Sequence, residues 1–162
     1  MLNLICAIAT DGAIGYQNRL LFRLSADLKR FKNLTTGHTV VMGRRTFESL
    51  PKGALPNRRN IVLTRSQSFE AEGVEVFHTL DEALENCAQD EEIFVIGGAS
   101  VYKEAYPKAL RMYLTEVHAR PREADVFFPV VDFSQWREVF REEHEADEKN
   151  EVPFAFVDYV RQ

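Results

Sequence analysis

One carboxylate stands out in NRLLFRLSADLKRF, residues 18–31: Asp27 is the only acid there, set among Leu20, Leu21, Phe22, Leu24, Leu28 and Phe31. On a helix Asp27, Leu28 and Phe31 share a face, because residues three and four apart are neighbours. A carboxylate in an apolar pocket is costly unless something binds it. Burial raises its pKa and a helix start lowers it; in a closed pocket burial is expected to win. The ligand that suits such a group is a heterocycle with two parallel N–H donors, as an amidine has. The plainer alternative is a first-turn surface acid favoured by the helix dipole.

Three further stretches pair a strand end with anion-binding chemistry. In FVIGGASVY (94–102) a buried-type strand runs into Gly97-Gly98 and a helix start. Glycines let backbone approach a ligand, and a helix N-terminus offers free N–H groups. An ordinary tight turn is the competing reading, and Ala99 and Val101 break a GxGxxG pattern. In VVMGRRTFESL (40–50) a strand and Gly43 lead into Arg44, Arg45 and Thr46. Two cations at a helix N-terminus oppose its dipole, a conflict that a bound anion would relieve. In NIVLTR (60–65) Thr64 and Arg65 close a strand. Arginine there, with no acid to take a bare ribose, suits a ribose 2′-phosphate and favours NADPH over NADH.

The elements that must position these groups alternate Val/Ile-rich runs with helical patterns. That implies a largely parallel sheet flanked by helices. Strands are predicted over 2–9, 38–43, 60–65, 74–77, 92–98 and 111–119. Two more, over 136–144 and 153–160, alternate apolar with polar residues and read as an antiparallel edge pair. Helices are predicted from Ala26 to about Leu34 with Ser25 as N-cap, over 44–50, from the Thr79 cap to about Ala88, and from Ala99 to about Tyr106. Residues 11–24 are predicted as loop. The fold class is α/β: a single domain over 1–162, with a mostly parallel sheet of about eight strands and about four helices.

Composition narrows the function. The 162 residues are 45% apolar and 28% charged, with a net charge of −5 that argues against general nucleic-acid binding. Six bases (Arg44, Arg45, Lys52, Arg58, Arg59, Arg65) crowd residues 40–65 against Glu48 alone. That cluster suits a small polyanion, or is merely a solvated basic surface. No apolar run is long enough to span a bilayer, and the N-terminus reads as a strand rather than a signal peptide. Cys6 and Cys87 form no CxxC, which fits a reduced, cytoplasmic protein. The four histidines show no metal-ligand spacing, so no metal is expected.

ICAIATDGAIGYQNRL, ADLKRFK, VVMGRRTFESLP, LPNRRNIVLTR, VIGGASVY and YLTEV follow in one order, with AD and FFP at 124–129 and the WREV strand after them. Together they make the chain resemble dihydrofolate reductase of the bacterial chromosomal type over nearly its whole length. The resemblance implies NADPH-dependent reduction of 7,8-dihydrofolate to tetrahydrofolate, supplying one-carbon metabolism, and antifolate inhibitors as ligands. It implies a monomer with no nucleic-acid or membrane partner.

By that resemblance Asp27 is the pterin-binding carboxylate and Thr115 its hydrogen-bonding partner. Ile5, Ala7, Leu28, Phe31, Lys32, Leu50 and Ile96 join the substrate pocket, and Arg58 clamps the α-carboxylate of the glutamate tail. Tyr102 stands beside nicotinamide and pterin. Gly97 and Gly98, joined by a cis peptide, face the pyrophosphate with Ala99, Ser100 and Val101. Gly43, Arg44, Arg45 and Thr46 form the second phosphate site. Leu63, Thr64, Arg65 and Ser66 surround the 2′-phosphate. Ile14, Gly15, Asn18 and Leu20 belong to a loop that closes over the nicotinamide. One departure concerns Phe22: most members carry Pro-Trp where this chain has Leu21-Phe22. An indole N–H that helps hold a water near the pterin is therefore missing. Two readings compete with this one. A pyrimidine reductase of riboflavin synthesis need not carry Asp27, Phe31 and Arg58 together, and a nucleotide-binding sensor would lack the coupled acid and tail clamp.

Overall fold

In the computed structural model, which describes all 162 residues, strands β1 (Leu2–Ile8) and β2 (Ala13–Gly15) precede helix α1 (Ser25–Thr35). Then come β3 (Thr39–Gly43), α2 (Arg44–Glu48), β4 (Arg59–Leu63), β5 (Val74–Phe77), α3 (Leu80–Glu85), β6 (Ile93–Gly97) and α4 (Ala99–Ala105). A 3-10 turn leads to β7 (Arg111–Val117), a two-residue β8 (Val126–Phe127), and the long β9 (Trp136–His144) and β10 (Phe154–Arg161). Eight strands form one sheet in the order β5-β4-β3-β6-β1-β7-β10-β9. Neighbours from β5 to β7 are parallel; the β7–β10 and β10–β9 pairs are antiparallel.

The central strands are apolar on both faces because both faces are covered. Leu2, Leu4, Val41, Ile61, Leu63, Ile93 and Val95 pack against Leu80 and Ala83 of α3 and Val101, Tyr102 and Ala105 of α4. The alternate residues Val40, Met42, Val62 and Phe94 face Leu34 of α1 and Phe47 of α2. Ile5 joins that second face, and Ala7 the adjoining cluster of Leu24, Val117, Phe154 and Phe156. β9 is exposed along nearly its whole length and carries charges that blunt the sheet edge. No helix is long and apolar enough to cross a membrane.

Several predicted features need correction. Ser25 is not the cap of α1: the N-cap is Leu24, with no side-chain bond, and the Ala26 N–H donates instead to Asn150 Oδ1 at 3.0 Å. The predicted loop 11–24 contains β2, which pairs with β8. Helices α2 and α3 stop earlier than the pattern suggested. Thr79 does cap α3, accepting from the Glu82 N–H at 3.0 Å.

Candidate functional site

A carboxylate beside a threonine marks one end of the site. The face of the sheet under α1 presents Ala7 of β1 and Thr115 of β7 side by side in parallel register. Asp27, in the first turn of α1, lies over them, and Thr115 Oγ1 donates to its Oδ1 at 2.5 Å. Burial raises the Asp27 pKa, against the lowering effects of the Thr115 hydrogen bond and of Arg30. A cavity of about 320 Å³ opens from this acid; Ala7, Leu20, Leu21, Phe22, Leu28 and Val117 are among its mostly apolar walls. Leu28 is 54% exposed, so α1 turns Leu28 towards the cleft while Leu34 packs on the core. Leu20 stands 69% exposed at that cavity. Phe22 packs on the Leu24–Val117–Phe154–Phe156 cluster, so the wall stays apolar without an indole.

The Gly97-Gly98 pair ends β6, the strand next to β1, and Gly43 ends β3 one strand further on. Met42 of β3 pairs with Gly97 of β6, so the starts of α2 and α4 are neighbours. Neither helix has a side-chain cap or an acid in its first turn, which leaves leading N–H groups for an anion. Gly97-Gly98 is a cis peptide and Gly97 has φ +140°. A Cβ at Gly97 would meet Thr46 Oγ1 at 3.0 Å, and one at Gly43 would meet Val101 Cγ2 at 3.4 Å. At Gly97 only bare backbone fits, while a Cβ at Gly43 would make ordinary contact. The residues present therefore suit a dinucleotide pyrophosphate.

The basic residues do not act as one cluster. Arg59 sits at the start of β4, away from the strand ends, and is held by Glu75 at 2.6 Å and Glu91 at 3.0 Å. Arg44 is partly answered by Glu48 at 3.4 Å and lies over the Phe69 ring, so its conflict with the α2 dipole is softened within the protein. Arg45 and Arg65 are exposed and form no ion pair. The Thr64 carbonyl bonds His78 Nδ1 at 2.8 Å, and Thr64 Oγ1 accepts from the Ser66 N–H at 3.2 Å. His78 went unnoticed in the sequence because it belongs to no motif; only the β4–β5 pairing brings it here.

Arg58 Nε donates to the Pro56 carbonyl at 2.9 Å and its Nη1 to Thr35 Oγ1 at 3.1 Å. Its guanidinium lies 6.0 Å from the Phe31 ring centroid and has no acid partner. Leu50 and Ile96 pack with Ile5 against the Val40–Phe94 cluster. Lys32 is exposed and its side chain makes no hydrogen bond. Tyr102 donates its hydroxyl to the Ile5 carbonyl at 2.7 Å and packs on Phe128 at 5.0 Å. Burial, then Cys6 and Asp27, push its pKa well up, and burial pushes the neighbouring Cys6 thiol to about 12. Ile14 and Gly15 lie on β2. Asn18, at φ +61°, donates its side-chain amide to the Arg45 carbonyl at 3.0 Å and ties the 16–20 turn to α2.

An open α/β sheet with an anion cradle at its strand ends, and one acid facing an apolar cleft beside it, defines a binding site for a phosphate-bearing cofactor next to a second, largely apolar ligand. Residues 1–161 match the family profile described as dihydrofolate reductase. The chain is 44% identical to dihydrofolate reductase type 3 of Salmonella typhimurium, covering 100% of this chain and 99% of that protein. It is 41% identical to dihydrofolate reductase of Bacillus subtilis strain 168, covering 99% and 95% respectively. The structure of the Enterococcus faecalis dihydrofolate reductase complexed with NADP(H) and RAB-propyl superposes with a TM-score of 0.93 at 39% identity, covering 100% of this chain and 96% of that one. The chain belongs to the dihydrofolate reductase family.

Proposed function

We infer that this chain reduces 7,8-dihydrofolate to tetrahydrofolate with NADPH. The Asp27–Thr115 pair, fixed at 2.5 Å in an apolar cleft beside the glycine cradle, carries the reading. When bound, NADPH supplies the hydride. Gly43, Thr46, Gly97, Gly98, Ala99, Ser100 and Val101 would hold its pyrophosphate, with Arg44 and Arg45 beside it. Leu63, Thr64, Arg65 and Ser66 would take the 2′-phosphate. Ala7, Ile14, Gly15, Asn18, Leu20, Ile96 and Tyr102 would surround the nicotinamide.

Asp27 accepts the two N–H groups on one edge of the pterin and fixes the ring's position, so that proximity contributes much of the rate. Thr115 orients the carboxylate. Ile5, Leu28, Phe31 and Leu50 wall the ring and the benzoyl linker, with Lys32 at the rim. Arg58, charged and without an internal acid, receives the tail carboxylate. The proton that raises the hydride affinity of the imine comes from water entering past Leu20, since Asp27 grips the opposite edge of the ring. A diaminopyrimidine antifolate offers the same donor pair to Asp27 and competes there. The chain works as a single-domain monomer in the cytoplasm, a reducing compartment that suits its two unbridged cysteines.

The deciding assay mixes protein, NADPH and dihydrofolate and follows NADPH absorbance with and without a diaminopyrimidine. Oxidation that the inhibitor stops is expected. No oxidation would defeat the reading.

A further inference from the structure

Behind the substrate acid, on the same face of the sheet, lies an ion pair that the proposed reaction has not used. Arg30 follows Asp27 by three residues on α1, and its Nη2 donates to both oxygens of Asp158 on β10, at 2.7 and 2.9 Å. Its guanidinium also lies 4.6 Å from the Phe156 ring centroid and 5.6 Å from that of Phe140. These contacts follow from register. Phe156 is paired with Thr115 and Asp158 with Tyr113 across β10–β7, while Phe140 is paired with Asp158 across β9–β10. So the strand that anchors Arg30 lies directly beside the strand that anchors Asp27. Each side chain of the Arg30–Asp158 pair is less than one-fifth exposed, where screening is weak. An open groove of about 410 Å³, lined by Lys29, Asn33 and Glu142 among others, reaches the pair from the outer side.

We propose that Arg30 is a positioning residue for the reduction: clamped by Asp158 and seated on Phe156, it docks α1 on the sheet and holds a fixed positive charge behind Asp27. The inference rests on Asp27 as the substrate anchor. Its charge opposes the upward push that burial exerts on the Asp27 carboxyl. Asp158 partly neutralises that charge. The two residues of the pair therefore act on Asp27 with opposite signs. The other titratable or charged groups are Lys29 of α1, Arg111 and Tyr113 of β7 and Glu142 of β9 around the pair, and Arg23, Cys6 of β1 and Tyr102 of α4 around Asp27. Of these, Cys6 and Tyr102 are pushed upward by burial and stay neutral.

The test is the pH dependence of single-turnover hydride transfer from NADPH, with NADPD as the isotopic control, in the full chain. The rate needs a proton on the substrate and falls as pH rises. Arg30→Met should move the midpoint up and Asp158→Asn should move it down. Each shift should be roughly half a pH unit or more, the scale of a unit charge one helical turn away in partly aqueous surroundings. Arg30→Lys keeps the charge and should stay near the wild-type midpoint. Melting temperatures report the docking of α1 separately. A purely structural pair would lower stability in both variants without moving the midpoints apart, and midpoints that fail to move in opposite directions overturn the proposal. Asp27→Asn is the outer control. If it turns over as the parent does, the substrate-anchor reading fails as well; if it is crippled while the midpoints stay put, only the role of Arg30 fails.

Discussion

Asn150 caps a helix from 124 residues away: its Oδ1 accepts from the Ala26 N–H at 3.0 Å, one residue from the substrate acid. The turn that carries it is built by Asp147, whose Oδ1 accepts from the Lys149 and Asn150 N–H groups at 2.8 and 2.9 Å and from Asn150 Nδ2 at 3.0 Å. Ser25 donates its N–H to the Lys149 carbonyl at 3.1 Å, and Arg23 and Glu151 exchange backbone and carboxylate bonds on the far side. The turn at 147–151 thus clamps the start of α1. Asn150→Ala should destabilise the fold by about 1–2 kcal/mol, as loss of a helix cap does. On a chain of this size that is a drop of roughly 3–6 °C in melting temperature. Dihydrofolate affinity should fall with it, because the first turn holds Asp27. Calorimetry and a KM measurement check both, and an unchanged melting temperature would refute the capping role.

Asp27→Asn should separate activity from stability. The Asn carbonyl can still accept from Thr115, but no charge remains to grip the pterin edge, so hydride transfer at neutral pH should fall roughly a hundredfold or more. Stability should not fall with it. Burial raises the folded pKa of Asp27 above its unfolded value, so the folded state binds the extra proton. The unfolding free energy is then reduced progressively as pH rises from the unfolded pKa through the folded one, and the penalty is complete above it. At pH 7 the variant should melt at or above the parent, and the difference should shrink as pH drops towards about 4. Melting curves at both pH values decide it.

Local pattern carried what local physics fixes. β3, β4 and β6 were readable because burial demands runs of Val, Ile and Phe, β10 because it alternates apolar with polar residues, and Thr79 because a cap and its Glu82 partner are three residues apart. What the pattern missed depends on distant contacts. Ser25 looked like a cap, yet Asn150 does the work from the other end of the chain. The β2–β8 pair is too short to show a period. Helical spacing placed Leu28 on an apolar face but could not tell a cleft wall from a core wall. Counting bases grouped Arg59 with Arg65, although their opposite strand ends send one to Glu75 and Glu91 and leave the other facing solvent. No local pattern singles out Arg30; only the register of β10 brings Asp158 to it.

Gly97→Ala should weaken the cofactor site. The backbone there has φ +140° and the added methyl would lie 3.0 Å from Thr46 Oγ1, so the substitution meets both backbone strain and a clash. A loss of about 1–3 kcal/mol in stability or in cofactor binding is expected. Adding Thr46→Ala should relieve the clash and recover melting temperature, while NADPH affinity stays low because a phosphate-site hydroxyl is lost with it. Melting curves and fluorescence titration of NADPH against the single and double variants measure both, and wild-type affinity in Gly97→Ala would remove the cradle argument.

Arg65→Leu should narrow the preference for NADPH over NADH. Arg65 is exposed at the end of β4 and bound to no acid, so its charge is available to a 2′-phosphate. Losing one charge-assisted contact should raise the KM for NADPH about tenfold or more and leave that for NADH unchanged. The NADPH value should also become less sensitive to salt, since an exposed charge pair is what salt screens. Equal loss with both cofactors would place Arg65 outside the 2′-phosphate site.

Arg58→Leu should damage binding of the substrate tail and little else. The guanidinium is already aimed by the Pro56 carbonyl and Thr35 Oγ1, and those bonds leave Nη2 for a ligand. Partial burial lowers its pKa only from a very high starting value, so it remains a cation that nothing inside the protein neutralises. A carboxylate from the substrate would meet it in paired hydrogen bonds, each charge-assisted, and their loss should raise the KM for dihydrofolate on the order of 10- to 100-fold. The contact is the same in ground and transition states, so kcat should change much less. A dihydropterin substrate without the glutamate tail should show the same KM with parent and variant. A loss that appears equally with the tail-less substrate would move Arg58 from tail recognition to support of α1 through Thr35.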